Sequence, residues 1–347
     1  MKVTYKRERT HDAAAGRTSR RDQREMSIPE APTPCPAHRF VRFRTRNDPN
    51  PRVGVLLAPS EEKSSSPLVH APRFCAHDAS TAIVPSTMRE ALTMYVNDHR
   101  SLRVDASLST PLEECELLCA VDRDVTIACV GKNYLEHVGE VDSTMPGISR
   151  MDVPEAPIIF SKASTSLNAH LGSIATRGRK DVDYEGELVA VIGRECRDID
   201  PGMSDEDVVK NYVIGWSIAN DVTARELQKT HQQWFLGKSG DTHCPLGPWV
   251  CCDDGRAPAL GAASITTAVN SEIRQRSTVD QLIWSVGALI ACISRHQTLR
   301  VGDCVLTGTP SGVGAGFDPP RFLQPGDACE VTIEGVGTLK NTVVENI

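Results

Sequence analysis

Between residues 126 and 343 the chain is a succession of short apolar runs cut by Gly, Pro and Asp, and this punctuation bounds what it can fold into. The runs at 126–130, 157–160, 187–192, 213–218, 250–252, 304–307 and 328–333 are too short for ordinary helices and fit strands. Helical spacing intrudes at 205–211 and 279–294. A predominantly β fold of the α+β class is expected, not the strict strand–helix alternation of a doubly wound sheet.

Upstream, Phe40-Val-Arg-Phe-Arg and Arg52-Val-Gly-Val-Leu-Leu predict a hairpin around the turn-rich stretch 47–51. Met88, Ala91, Leu92 and Tyr95 stand at helical spacing within 87–97. Residues 39–120 therefore read as a small N-terminal α/β segment and 121–347 as the catalytic β-rich domain. Residues 1–38 carry arginine clusters and Pro29, Pro32, Pro34 and Pro36 without a hydrophobic period, so a disordered tail is expected there. An arginine-rich start suits a mitochondrial presequence, but Glu8, Asp12, Asp22 and Glu25 break its acid-poor pattern, which favours the cytoplasm.

Charge and cysteine usage narrow the function. Lys and Arg number 38 against 45 Asp and Glu, a net charge of −7, so a general nucleic-acid partner is not expected. The longest apolar stretch, 286–293, falls far short of the roughly 20 residues of a membrane span, and the opening residues lack the charged-then-apolar pattern of a secretory signal, so none is expected. The 12 cysteines include no C-x-x-C, so buried free thiols are expected, not a metal or disulfide framework.

The stretch Asp181-Val-Asp-Tyr-Glu-Gly-Glu-Leu-Val-Ala-Val-Ile is the most informative. Glu185 and Glu187 stand two apart at the start of a strand-like run, so their side chains share one face. A solvated strand edge would look the same. However, Asp221 ends the apolar run 213–220, where a strand meets a polar loop. Three carboxylates repel unless a cation or proton joins them, and an all-oxygen site suits Mg²⁺, Mn²⁺ or Ca²⁺. In Asn133-Tyr-Leu-Glu-His-Val-Gly-Glu140, His137 and Glu140 lie three apart, so the carboxylate can orient the imidazole on a short lid. A surface pair is the plainer alternative. Arg225 and Gln228, also three apart, either reach substrate or pair locally.

Six ordered motifs resemble the fumarylacetoacetate hydrolase family. They are Cys129-Val-Gly-Lys-Asn-Tyr-Leu-Glu-His-Val-Gly-Glu, Asp183-Tyr-Glu-Gly-Glu-Leu, Ala219-Asn-Asp-Val-Thr-Ala-Arg-Glu-Leu-Gln, Gly237-Lys-Ser-Gly-Asp-Thr-His-Cys-Pro-Leu-Gly-Pro, Leu306-Thr-Gly-Thr-Pro-Ser-Gly-Val-Gly and Phe322-Leu-Gln-Pro-Gly-Asp. The resemblance implies a mixed β-sandwich roll, a homodimer, and a divalent cation held by Glu185, Glu187 and Asp221. It further implies a His137–Glu140 dyad that activates water, Lys238 beside the metal, Thr309 against substrate and, by a weaker correspondence, Lys162 in the site. Gly240 departs from the family pattern, where an aromatic residue is usual. The implied reaction is hydrolysis of a C–C bond in a 1,3-diketo acid such as an acylpyruvate. The alternatives are decarboxylation of a 2-oxo acid of the oxaloacetate type, keto–enol isomerisation at the same metal, or a catalytically silent ligand-binding scaffold.

Other motif readings fail. Gln232 stands where a phosphate-binding loop ending in Gly237-Lys-Ser needs its first glycine. Asp318-Pro-Pro follows Gly312-Val-Gly-Ala-Gly where a dinucleotide fold needs a helix. The apolar run passes straight through Ser217, leaving no nucleophile elbow.

Overall fold

The run 187–192 is apolar throughout because its strand is buried on both faces. In the computed structural model, which describes residues 38–57, 67–75, 82–136 and 155–347, this strand spans Gly186–Ile192. Leu188, Ala190 and Ile192 enter one apolar core while Val189 and Val191 enter another. Strands covered on both sides lose the polar alternation of a half-exposed sheet.

Gly186–Ile192 pairs antiparallel with Val213–Asn220 and, on its other edge, with Cys304–Leu306. Cys304–Leu306 carries Ile127–Gly131 in parallel, and Ile158–Ser161 closes that side. In the other direction Val213–Asn220 pairs with Cys244–Cys252, which pairs with His38–Thr45 so that Phe40 faces Val250. His38–Thr45 and Arg52–Leu56 form the predicted hairpin. The sheet thus runs without a break from the segment 39–120 into the segment 121–347. It has thirteen strands among the described residues.

One face of this sheet meets a second sheet of five strands, which includes Ser264–Val269, Glu272–Thr278, Ala328–Ile333 and Gly337–Val344. Ile265, Val331, Ile333 and Leu339 interlock there with Leu188, Trp216 and Ile218, and the helices Asp205–Tyr212 and Val286–Ser294 complete that core. The opposite face is covered by the helix Met88–Asn97, which contributes Met88, Ala91, Leu92 and Tyr95. Thr87 starts that helix with a capping box to Glu90. The fold is predominantly β, of the α+β class. Among the described residues eleven cysteines are free thiols, and no helix is long and apolar enough to cross a membrane.

Two elements differ from expectation. The helical pattern 279–294 opens with a single 3-10 turn at Val279–Gln281 and becomes an α-helix only from Val286; between them, Ile283 and Trp284 donate their N–H groups to the main-chain and side-chain oxygens of Asn133, at 2.8 and 2.7 Å. That pairing holds the chain extended until Ser285 caps the helix by accepting from the Ala288 N–H. The hairpin Ser264–Val269/Glu272–Thr278 has weak hydrophobic alternation; its signal is Asn270, which with Ser271 takes positive φ (52° and 67°) in a two-residue turn.

The two sheets approach closely at Gly186. A Cβ there would lie 2.2 Å from Thr267 Oγ1 and 2.8 Å from Val331 Cγ1. Overpacking of this kind costs about 1–3 kcal/mol. Gly186→Ala should lower unfolding free energy by that amount in urea titration; unchanged stability would show that the sheets are not pressed together there.

Candidate metal centre and cleft

The register of two strands assembles the charged centre. Gly186 lies opposite Asn220 and Glu187 opposite Ala219, and the Asp221 N–H donates to the Glu185 carbonyl at 2.8 Å. Glu185 and Asp221 therefore face each other across the ladder, with Glu187 two residues on along the same face. Glu185, Glu187 and Asp221 each present an oxygen within 4.8 Å of the other two, and all three are buried. At an effective dielectric of about 20, two such charges repel by roughly 3 kcal/mol per pair, so the cluster needs positive charge nearby.

That charge comes from residues that follow Asp221 in the chain and from Lys162, just past the edge strand Ile158–Ser161. Lys238 Nζ donates to Glu185 Oε2 and to Asp221 Oδ2, both at 2.6 Å. Lys162 Nζ donates to Asp221 Oδ1 at 2.6 Å and to the Val222 carbonyl at 3.2 Å. Arg225 bridges Glu185 Oε1 (2.7 Å) and Asp183 Oδ2 (2.8 Å), and its Nη1 also donates to Gln228 Oε1. Arg225 Nη2 is buried without a hydrogen-bond partner. The Arg225–Gln228 pair is thus local, and both residues also line the cleft.

The three carboxylates are not equivalent. Burial, reinforced by Asp221 and Glu185, pushes the Glu187 carboxyl well above the usual range, although Gly308 N–H donates to its Oε2 at 2.7 Å. For Lys238, burial alone would favour the neutral amine, but Asp221 and Glu185 outweigh it and hold the ammonium. The three oxygens are hard donors on one face, and a cation would offset the cost of ionising Glu187. The residues fit a hard divalent ion such as Mg²⁺, Mn²⁺ or Ca²⁺.

Glu185, Glu187, Arg225, Gln228, Lys238 and Thr309 line one cleft, whose remaining wall is Val130, Gly131, Lys132, Phe160 and Trp234. Thr309 reaches it with its hydroxyl already engaged: Oγ1 donates to the Gly186 carbonyl at 3.0 Å and accepts from Gln275 Nε2 at 2.8 Å. The preceding Gly308 takes φ +100°, a left-handed conformation that suits glycine and aims its N–H at Glu187. His137 and Glu140 lie outside the described residues.

Four supporting residues carried no sequence assignment. Asp183, fully buried, accepts from the N–H groups of Gly314 (2.7 Å), Ala315 (2.9 Å) and Tyr184 (2.9 Å) while holding Arg225. Its signal was available, since Asp183 extends the Glu185, Glu187 period by one step. Gln275, also fully buried, accepts from the Gly186 N–H and donates to Pro310 O, which ties the strand edge to the 309–310 loop. Asn133 donates to the carbonyls of Trp284 and Thr307. Ser239 Oγ accepts from the Ala163 N–H at 2.9 Å and so couples the backbones beside Lys238 and Lys162.

Matches to known proteins agree with this geometry. Residues 126–344 match the model of the fumarylacetoacetate (FAA) hydrolase C-terminal family. The chain belongs to the fumarylacetoacetate hydrolase family. It is 42% identical over 220 residues to the oxaloacetate tautomerase YisK of Bacillus subtilis, a match covering 62% of this chain and 69% of that one. It is 33% identical over 327 residues to the mitochondrial oxaloacetate tautomerase fahd2 of Xenopus laevis, covering 90% and 92%. The crystal structure of a fumarylacetoacetate hydrolase from Exiguobacterium antarcticum superposes with a TM-score of 0.67 at 32% identity, over 88% of this chain and 99% of that one. A 5-carboxymethyl-2-hydroxymuconate delta-isomerase from Mycobacterium smegmatis gives 0.64 at 30% identity, over 88% and 99%.

The loop that carries Lys238 also holds a buried histidine. A Cβ on Gly240 would lie 2.8 Å from His243 Nδ1, so the departure from the family pattern at Gly240 makes room for this ring. His243 Nε2 contacts the Ala175 carbonyl at 3.0 Å, and Nδ1 has no partner. Burial pulls its pKa down to about 4. With the folded value below the unfolded one, the ring's contribution is intact above about pH 6.5 and is lost as pH falls toward 4. Urea titrations should show about 3 kcal/mol of stability lost over that window, and His243→Gln should remove this part of the slope. An identical slope in the variant would refute the assignment.

Proposed function

We propose that the protein catalyses enolisation of a 2-oxo acid of the oxaloacetate type at a divalent cation held by Glu185, Glu187 and Asp221, with keto–enol tautomerisation as the net reaction. The observation that carries this reading is the buried carboxylate cluster, whose Glu185 and Glu187 share one cleft with Lys238 and with Arg225, the Nη2 of which is unpaired. The two oxaloacetate tautomerases among its relatives support the substrate class.

A bound divalent cation supplies Lewis-acid polarisation of the 2-oxo carbonyl. The chain's own groups do the rest. Arg225 Nη2 and Gln228 hold the carboxylate end, and the planar Phe160 and Trp234 side chains, packed edge to face at 5.2 Å, wall the flat enol. Lys238, kept protonated by its two carboxylates, offsets charge on the carbonyl oxygen and can return a proton there. Tautomerisation moves one proton off C3 and one onto oxygen, so no water is consumed. His137, oriented by Glu140, is the proposed base. Thr309 acts through the backbone it anchors, with substrate packing against its side chain.

Hydrolysis of a C–C bond in an acylpyruvate uses the same centre with one addition, a water activated by His137. The fumarylacetoacetate hydrolase of similar structure favours keeping this as the second reading. A homodimer, in the cytoplasm or in mitochondria, accompanies both readings.

Glu187→Gln removes a metal ligand while preserving shape. It should lower oxaloacetate tautomerisation by about 10³-fold or more, the worth of several kcal/mol of lost stabilisation. Added Mn²⁺ should raise the melting temperature of the wild type and not of the variant. Undiminished turnover in Glu187→Gln or in EDTA-stripped protein would contradict the proposal.

A further inference from the structure

One wall of the cleft is closed by a single side chain. Gly131, at the end of the strand Ile127–Gly131, has no side chain of its own, and the Trp234 indole lies over it. A Cβ on Gly131 would sit 2.5 Å from Trp234 Cζ3 and 2.9 Å from Cη2. The same indole meets Phe160 edge to face at 5.2 Å, and the Phe160 ring in turn lies 5.1 Å from Lys238 Nζ. Phe160 is held opposite Cys129 in the sheet, so neither it nor Gly131 can recede.

The chain also fastens the indole. Trp234 is half-buried, whereas the residues on either side of it, 231–233 and 235–236, are exposed, so this segment turns one residue inward. The Trp234 carbonyl accepts from the Lys238 N–H at 3.0 Å. Gly237 packs so closely on the preceding helix, Arg225–Thr230, that a Cβ there would lie 2.7 Å from the Gln228 nitrogen. The ring is thus tied to the segments that bring Arg225 and Lys238 to the centre. The space it leaves is small. The cleft holds about 30 Å³, room for about two waters, whereas pockets for drug-sized ligands hold about 300–1,000 Å³.

We propose that Trp234 limits the substituent that the cleft accepts at C3 of a 2-oxo acid, and so restricts the substrate to short acids of the size of oxaloacetate. This inference rests on the metal-dependent 2-oxo acid reading and adds a specificity residue to it. With the 2-oxo carbonyl beside Lys238, C3 lies toward Phe160 and the indole. A carboxylate there is small and flat, whereas a phenyl ring needs the place that the indole fills. Because Gly131 has no side chain, taking the indole away leaves a gap on this wall.

The test compares oxaloacetate with phenylpyruvate, a 2-oxo acid carrying a phenyl ring at C3, by kcat/KM for keto–enol conversion in Mg²⁺-loaded protein. The quantity read is the change in their ratio between wild type and variant, in which the intrinsic reactivity of the two acids cancels. Wild type should favour oxaloacetate by about 50-fold or more, within the range by which the fit of a pocket discriminates. Trp234→Ala should lower that ratio by about tenfold or more and Trp234→Leu by less, while Trp234→Phe, which keeps a ring over Gly131, should retain most of it. A melting curve establishes which variants fold. Equal use of both acids by wild type, or an unchanged ratio in whichever of Trp234→Ala and Trp234→Leu folds, overturns the role of Trp234 alone if wild type shows metal-dependent oxaloacetate turnover. Absence of that turnover overturns the underlying reading as well.

Discussion

Mutual repulsion among three buried carboxylates is the constraint on which the rest of the structure depends. Glu185, Glu187 and Asp221 are brought together by β-register, and register cannot be relaxed without moving a whole side-chain face. The fold answers with positive charge from three separate segments. Lys162 arrives from the edge strand side, Arg225 from just past Asp221, and Lys238 from the short helix Phe235–Lys238. Lys162 and Lys238 are buried and the Arg225 side chain is 11% exposed, so each depends on its carboxylate partner to stay charged there. The centre is therefore a network in which removing one member strands another.

Close packing holds the network in place from behind. Gly186, between the two glutamates, lets the five-stranded sheet press against the strand carrying them, and Gln275 from that second sheet hydrogen-bonds the Gly186 N–H. The same Gln275 amide reaches Thr309 and Pro310, so the loop that donates Gly308 N–H to Glu187 is anchored to the same point. The two-sheet architecture thus serves the site directly. One sheet presents the carboxylates, and the other fixes the backbone that presents them.

Much of this was legible in the chain, for reasons that differ by residue. Strand-length apolar runs located the central strands, and period two placed Glu185 and Glu187 on one face. Asp221 was legible because a charged residue ending an apolar run marks the end of a strand. The helix 87–97 was marked by both its spacing and its Thr87 cap. Arg225 and Gln228 left two readings open; the structure shows the local pair and places both side chains at the cleft wall. Asn133, Gln275 and Ser239 were not legible, because each acts on residues 34 to 174 positions away, a distance no local pattern encodes. The interruption of the 279–294 helical pattern between Gln281 and Val286 has the same cause, since a long-range pairing with Asn133 overrides local spacing.

The central claim is that the three carboxylates form one divalent-cation site. The most direct test is anomalous diffraction at the manganese edge from crystals grown with Mn²⁺. The account predicts a single strong peak within about 2.0–2.6 Å of oxygens from Glu185, Glu187 and Asp221, the range of hard-cation–oxygen bonds. A peak elsewhere, or none at this cluster while the three side chains remain in place, would contradict it.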